Sequence, residues 1–416
     1  MKQNSVSDLF LISDLSGKLI GNFKEVFLGI YFLTITQGNI VSVSIYYIVF
    51  FLVYVICLLL VNKLQKMNLM TMFRIGIFLN LMQCLILLIA GSKITDFIIC
   101  FAIFASIGNA FYYYPEQILI KRVNKENGFR NYVMKDKILG YAVKIILPIM
   151  LGYLISKNSY GLAFAILSLL IFICFCFSFF VKEFELGHDK INLRSFFKHI
   201  NKNGNSKLLK LLSIRILCRG LSSFSAISTL LTIMTFMVVE KEFSLGSITS
   251  IMTIVSIFTV YVVTNFIKRK NLSKLYIPIS IIQSIIVIIL AFSITNLNIS
   301  SSLNIGTFTI SVSFILILLY NLINSISNPI FETSNTIVSY ECMEKQDIKT
   351  GNEPNYIFWF EIMINSSRSF GYLILIFISS IGFDLTIISF LLVLFSFMYI
   401  VFAYILKVIE QKYLIK

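Results

Sequence analysis

Apolar positions along this chain fall in long, nearly unbroken runs rather than in strand-like alternation or on one helical stripe. The runs lie at roughly 19–38, 43–62, 69–91, 97–120, 138–156 and 160–181, and again at 211–238, 245–267, 275–295, 306–338, 355–380 and 383–406. Each is near or above the ~20 residues a helix needs to cross the hydrocarbon core of a bilayer. The pattern therefore predicts an all-α polytopic membrane protein with twelve spans. Six lie on either side of a charged segment, residues 182–210. The expected organisation is an N-terminal six-helix bundle (1–181), a basic cytoplasmic linker (182–210) and a C-terminal six-helix bundle (211–416).

Composition narrows this further. Of 416 residues, 57% are hydrophobic and only 13% charged, with 40 Phe and 5 Pro. A soluble domain carries about 25% charged residues, so a soluble enzyme is excluded, and disorder would require low hydrophobicity. Six of the seven cysteines, Cys57, Cys84, Cys100, Cys174, Cys176 and Cys218, sit in or beside apolar runs without CxxC or Cys/His spacing. They read as small packing residues, and neither a metal nor a cofactor is expected. Residues 1–16 carry Asp8 and Asp14 and only a four-residue apolar stretch, 9–12. That is not the pattern of a cleavable signal peptide, so the first span is expected to act as its own insertion signal.

The formal net charge of +15 could suggest nucleic acid, but its distribution follows topology. Cytoplasmic loops are enriched in Lys and Arg. With the N-terminus inside, the outer loops hold only Lys93, Lys157 and Lys241. The inner loops hold Lys63, Lys66, Lys121, Arg122, Lys125, Arg130, Lys135, Lys137, Lys268, Arg269, Lys270 and Lys274, along with the linker's basic residues. Both termini are expected in the cytoplasm, in the plasma membrane of the cell. The basic loops would face anionic lipid headgroups, with no nucleic-acid partner.

An internal repeat supports two homologous halves. Asn62-Lys63-Leu64-Gln65-Lys66-Met67-Asn68-Leu69 after span 2 is echoed 203 positions later by Asn265-Phe266-Ile267-Lys268-Arg269-Lys270-Asn271-Leu272 after span 8. In span 5, Asn131-Tyr132 precedes Lys144 by thirteen residues; in span 11, Asn355-Tyr356 precedes Arg368 by the same interval. Each match is weak alone, and together they suggest a duplicated six-helix unit.

With this 6+6 layout, the basic central segment and the basic loops after spans 2 and 8, the chain resembles the major facilitator superfamily of secondary transporters over nearly its whole length. That family's loop between spans 2 and 3 is rich in Gly, Asp and Arg. Here residues 62–74 keep the basic residues and lack the Gly and Asp. The Gly-Pro-x-x-Gly element of many family exporters survives in part as Pro148 and Gly152, with Leu147 in place of the glycine. The resemblance implies that spans 1, 4, 7 and 10 line the transport path, that 5 and 11 border it, and that 3, 6, 9 and 12 pack outside.

The charges inside the spans follow that layout. An ionisable group at mid-bilayer costs ~2.5–3.5 kcal/mol or more, and such groups face a bundle interior or a watery path. Spans 6 (161–181) and 12 (385–406) carry none. Span 1 carries Lys24 and Glu25, span 4 Glu116, span 5 Lys144, span 7 Arg219, span 10 Glu332, and span 11 Glu361 and Arg368. Arg368, Lys144, Glu361 and Arg219 are therefore candidates for substrate binding or gating, and Glu116, Glu332 and Glu25 for proton coupling. A carboxylate in a partly dry setting can exchange a proton near neutral pH. The competing reading is structural: an ion pair between Glu361 and Arg368, and inner-gate pairs of the span 4 and 10 carboxylates with Lys121, Arg122 or Arg219. Tyr112-Tyr113-Tyr114 and Phe358-Trp359-Phe360 suit packing better than substrate stacking. His188 and His199 read as solvated linker residues.

The function expected from these features is secondary transport of a small organic solute by alternating access. Proton-coupled export by a monomeric permease leads, and uptake of a small anionic metabolite is the alternative. A lipid-linked flippase or a membrane-embedded enzyme belongs to a different class. The enzyme is disfavoured because no span carries a His to build a catalytic constellation.

Overall fold

The computed structural model describes residues 3–61, 67–123, 129–181, 192–193, 197–198, 206–222, 226–239, 241–267, 269–296, 302–305, 308–345, 353–381 and 385–414. Among them almost every residue is helical. Hydrocarbon offers the backbone no water to bond, so N–H and C=O groups must be satisfied within each segment, and a helix does this locally. The chain divides into two compact units, Met1–Lys190 with Glu240–Ser250, and Ile191–Val239 with Ile251–Lys416.

The first unit holds α1 (Gln3–Phe23), a π-helical turn (Lys24–Leu28), α2 (Gly29–Ile35), α3 (Ile40–Val61), α4 (Leu69–Ala90), α5 (Ile98–Val123), α6 (Phe129–Lys157) and α7 (Tyr160–Ser178). Asn68 starts α4 by accepting the Met70 N–H on its side chain at 2.9 Å, which satisfies one of the donors a helix start leaves open. Helices α4 and α5 pack along their length. Gly76 permits this, since a Cβ there would meet the Tyr112 backbone at 2.6 Å. Ser106 ties α5 to α3 through the Phe50 carbonyl at 2.7 Å. Small residues and hydroxyls at such crossings are how helices associate when lipid removes the hydrophobic drive.

The second unit holds α8 (Ser206–Ser222), α9 (Ala226–Val239), most of α10 (Glu242–Phe266), α11 (Arg269–Asn296), α12 (Val312–Lys345), α13 (Glu353–Ile381), α14 (Leu385–Ile409) and a terminal π turn (Glu410–Leu414). The start of α10 belongs to the first unit. There Gly152 lies so close that a Cβ would meet the Glu242 carbonyl oxygen at 2.5 Å, and Ser250 donates to the Ile145 carbonyl at 2.7 Å. Within the second unit α11 packs on α14, tied by Ser284 to the Ser396 carbonyl at 2.7 Å. Its apolar core includes Leu212, Tyr276, Phe331, Trp359, Phe402 and Leu406. Large apolar residues such as Ile56, Leu60, Phe258, Phe292 and Phe377 point outward, as a lipid-facing surface requires.

Nine stretches among the described residues are long and apolar enough to cross a membrane, one of which, Leu69–Ile120, runs through two helices. Neither Gln3–Phe23 nor Glu353–Ile381 is among them; these two carry Asp14, Lys18, Glu361 and Arg368. Two expected boundaries are corrected. The first helix begins at Gln3, ahead of the apolar run that opens near 19, and carries Asp14 and Lys18 as paired charges rather than as an end. The run from 306 opens with β2 (Phe308–Ser311), antiparallel to β1 (Ser302–Ile305), and only then becomes helix at Val312. Thr309 and Ile310 are β-branched, which favours the extended form.

Candidate functional site

In the first unit the charged side chains collect around α1, α5 and α6. Asp14 and Lys18, one turn apart on α1, form an ion pair at 2.5 Å. Lys18 also pairs with Asp136 on α6. Tyr112 of α5 closes the group from the third side: its hydroxyl donates to the Asp14 carboxylate at 2.8 Å and accepts the Gly17 N–H at 3.1 Å. A Cβ on Gly17 would run into the Tyr112 ring, so glycine is what lets the tyrosine reach the helix backbone. Asp14 is 2% exposed, whereas Lys18 and Asp136 are 22% and 27% exposed. Glu116, half-buried one turn beyond Tyr112, lies within electrostatic range of Tyr112 and Tyr132.

Further along the same unit Lys24 and Glu25 diverge, as adjacent helical residues must. The Lys24 amine donates to Asn109 Oδ1 at 3.2 Å and stands over the Phe50 ring at 5.3 Å. Glu25 is exposed and pairs with Lys144 at 3.6 Å. Arg74 of α4 donates to the Ser178 and Val181 carbonyls at 3.2 and 3.0 Å, at the end of α7, and lies over the Phe179 ring. A guanidinium suits this place, since the last carbonyls of a helix lack intrahelical donors.

In the second unit Arg219 of α8 donates to Glu332 Oε1 of α12 at 2.7 Å. The structural alternative that pairs Glu332 with Arg219 is thus the geometry observed. Lys121 and Arg122, the other proposed partners, have side chains outside the described residues. On α13, Arg368 donates to Asn365 Oδ1 at 3.1 Å, and Asn365 donates to Glu361 Oε2 at 3.0 Å. Arg368 and Glu361 are therefore linked through an asparagine. Arg215, fully buried in the middle of α8, donates to Ser339 Oγ at 2.8 Å. Gln283, fully buried on α11, donates to Asn324 Oδ1 of α12 at 3.1 Å.

The sequence singled out Arg368, Lys144, Glu361, Arg219, Glu116, Glu332 and Glu25; the structure joins six of them as two cross-helix pairs and one intrahelical chain, and sets Glu116 near Tyr112 and Tyr132 instead. Asp14, Lys18, Asp136, Asn365 and Arg215 were missed. The four-residue spacing of Asp14 and Lys18 was a usable signal; Asp136 carries none that sequence alone would show. The aromatic runs are packing elements: Tyr112, Tyr114, Phe358 and Trp359 are buried. His188 and His199 lie outside the described residues. Among the described residues no three of His, Cys, Asp and Glu stand together as a metal-holding group.

No protein-family model matches the chain, and no curated protein matches it in sequence. Solved structures match it end to end. A bacterial homologue of the iron transporter ferroportin aligns with a TM-score of 0.62 at 14% identity, covering 99% of each chain. The nucleoside transporter NupG aligns with a TM-score of 0.66 at 13% identity, over 99% of this chain and 100% of that one. A bacterial metal transporter aligns with a TM-score of 0.60 at 13% identity, over 98% and 99%. The chain has the fold these transporters share, and it is a multi-pass helical membrane protein.

Proposed function

We propose that this protein is a secondary active transporter that moves a small organic solute by alternating access, with protons as the coupling ion and export as the direction. The observation that carries the reading is the Arg219–Glu332 pair, a hydrogen-bonded charge pair joining two helices of an apolar bundle. Glu332 is 44% exposed and Arg219 17%, so the carboxylate is the more accessible partner of the pair. Protonation of Glu332 would remove the negative partner and loosen α8 from α12, which is what coupling requires of a gate. Glu116 and Glu25 are the further coupling candidates. The end-to-end likeness to transporter structures supports the class, and Pro148 and Gly152 on α6 support export. The reading includes twelve crossings, cytoplasmic termini, a monomer and a place in the cell's plasma membrane.

A second reading, uptake of a small anionic metabolite, is favoured by the cations Lys144 and Arg368, with Lys144 half exposed beside Glu25. Both readings are tested in proteoliposomes holding the purified chain, screened with labelled solutes under an imposed pH gradient. Solute movement against its gradient, in the direction opposite to the proton flow, supports export. Movement with the protons supports uptake. Solute movement indifferent to the pH gradient removes proton coupling.

A further inference from the structure

We propose that Asp14, Lys18 and Asp136 form a proton-exchange site within the first unit, with Asp136 as the group that takes the proton. The site's use in coupling rests on the transport reading above; its titration does not.

The argument begins with charge. Two carboxylates share one ammonium here, so the ionised triad carries one net negative charge. Lys18 bonds both, Asp14 one turn away on α1 and Asp136 on α6. A net charge in a low-dielectric bundle is unfavourable, and binding one proton makes the triad neutral. The two carboxylates are not equivalent. Asp14 is almost fully buried and held from two sides, by Lys18 and by the Tyr112 hydroxyl at 2.8 Å. Asp136 is 27% exposed, with Lys18 as its ion-pair partner. The proton can therefore reach Asp136, and losing one charge there costs one ammonium contact and leaves Asp14 paired.

A second, independent feature points to exchange at this place. The Tyr132 hydroxyl is buried and makes no hydrogen bond among the described groups. It lies within electrostatic range of Asp14, Asp136 and Glu116. A buried hydroxyl left unmatched is unfavourable by ~1–3 kcal/mol. Beside three carboxylates, it is a spare donor for a carboxylate that loses its share of Lys18.

The other titratable neighbours are accounted for. Tyr112 faces the triad from α5 and Tyr132 from α6, and Glu116 of α5 lies within electrostatic range of both tyrosines. Cys174 faces Asp14 from α7. Lys135, next to Asp136, pairs with Asp8 at 2.6 Å. Lys137 is exposed on the following residue. Arg74 of α4 is bonded to the Ser178 and Val181 carbonyls.

The test needs no substrate. Infrared difference spectra of the full chain in lipid nanodiscs, recorded as the pH is lowered, should show a protonated-carboxyl band that Asp136→Asn removes and Glu332→Gln leaves in place. Lys18→Gln takes away the shared ammonium and so favours the neutral carboxyl. It should move the midpoint of that band up by about one pH unit or more. A band untouched by Asp136→Asn, or a midpoint that stays put or falls in Lys18→Gln, overturns the proposal. The two variants are read separately, so either one decides if the other fails to fold. An empty solute screen with the titration intact would count against transport and not against this site.

Discussion

Arg219 and Glu332, 113 positions apart, meet at 2.7 Å and bind α8 to α12 within the second unit. The pair is lopsided in exposure, and this sets what each substitution should do. Removing one partner of a fully buried pair is unfavourable by ~3–5 kcal/mol. With Glu332 44% exposed, the loss here should fall well below that. Glu332→Gln keeps an acceptor for the guanidinium and loses the titration. Near-normal expression is expected, with accumulation that no longer follows an imposed pH gradient in proteoliposomes. Gradient-driven accumulation equal to wild type would leave Glu332 as a structural tie.

Gly17 should be intolerant of even one methyl group. Its Cβ position is filled by the Tyr112 ring, and its N–H is bonded to the Tyr112 hydroxyl. Gly17→Ala must push the ring away and with it the bond to Asp14. Overpacking of this kind is unfavourable by ~1–3 kcal/mol. Gly21 is the internal control, since a Cβ there meets only the Tyr113 hydroxyl at 3.6 Å. Thermal unfolding in detergent should drop several degrees for Gly17→Ala and barely for Gly21→Ala. Equal effects would mean that helix propensity, not the ring contact, governs both.

Sidedness can be checked with two loops that the structure places together. Phe243 N–H donates to Ser156 Oγ at 3.0 Å, so Lys157 at the end of α6 and Lys241 before α10 share a side. Cysteines at 157 and 241 are expected to label from outside in intact cells, and one at 203 only after permeabilisation. Internal labelling at 157 and 241 would invert the orientation drawn from the basic loops. Opposite labelling at those two sites would contradict the fold itself.

What could be read from the sequence, and what could not, divides along a physical line. Apolar runs longer than a bilayer crossing leave little choice but helix, and the described helices overlap the runs that hydropathy marks. The segment before residue 19 was not read as part of a helix because it lies outside the apolar run and carries Asp8, Asp14 and Lys18. The burial of Asp14 and Lys18 depends on Asp136 and Tyr112, which arrive from helices about a hundred residues later. Pairings of that kind depend on tertiary contacts and leave no trace in local periodicity. Glu332 with Arg219 was foreseeable because Glu332 is the single charge in its apolar run, 306–338, and needed a cation from another span. Asn365 was missed for the opposite reason: a neutral amide in a span raises no alarm, although it is the group that connects Arg368 to Glu361.

That connection changes what Arg368 variants should reveal. A direct ion pair would make each single neutralisation damaging, because a bare charge would remain. Here both charged groups are bonded to the Asn365 amide, which can stay with either one. These two bonds lie within α13 and do not tie one helix to another, so Arg368→Gln should express close to wild type. Any large loss of transport in that variant then belongs to the solute step rather than to folding. Arg368→Lys keeps the charge and loses the planar fork that grips carboxylates and phosphates. It should weaken transport substantially, and Arg368→Gln should abolish it. Asn365→Leu separates the two charged groups without touching either. It should lower stability slightly and leave transport at a reduced but measurable level. If Arg368 is only structural, Arg368→Gln will instead lose expression, and adding Glu361→Gln will restore it. Full transport by Arg368→Gln would remove the residue from the solute path.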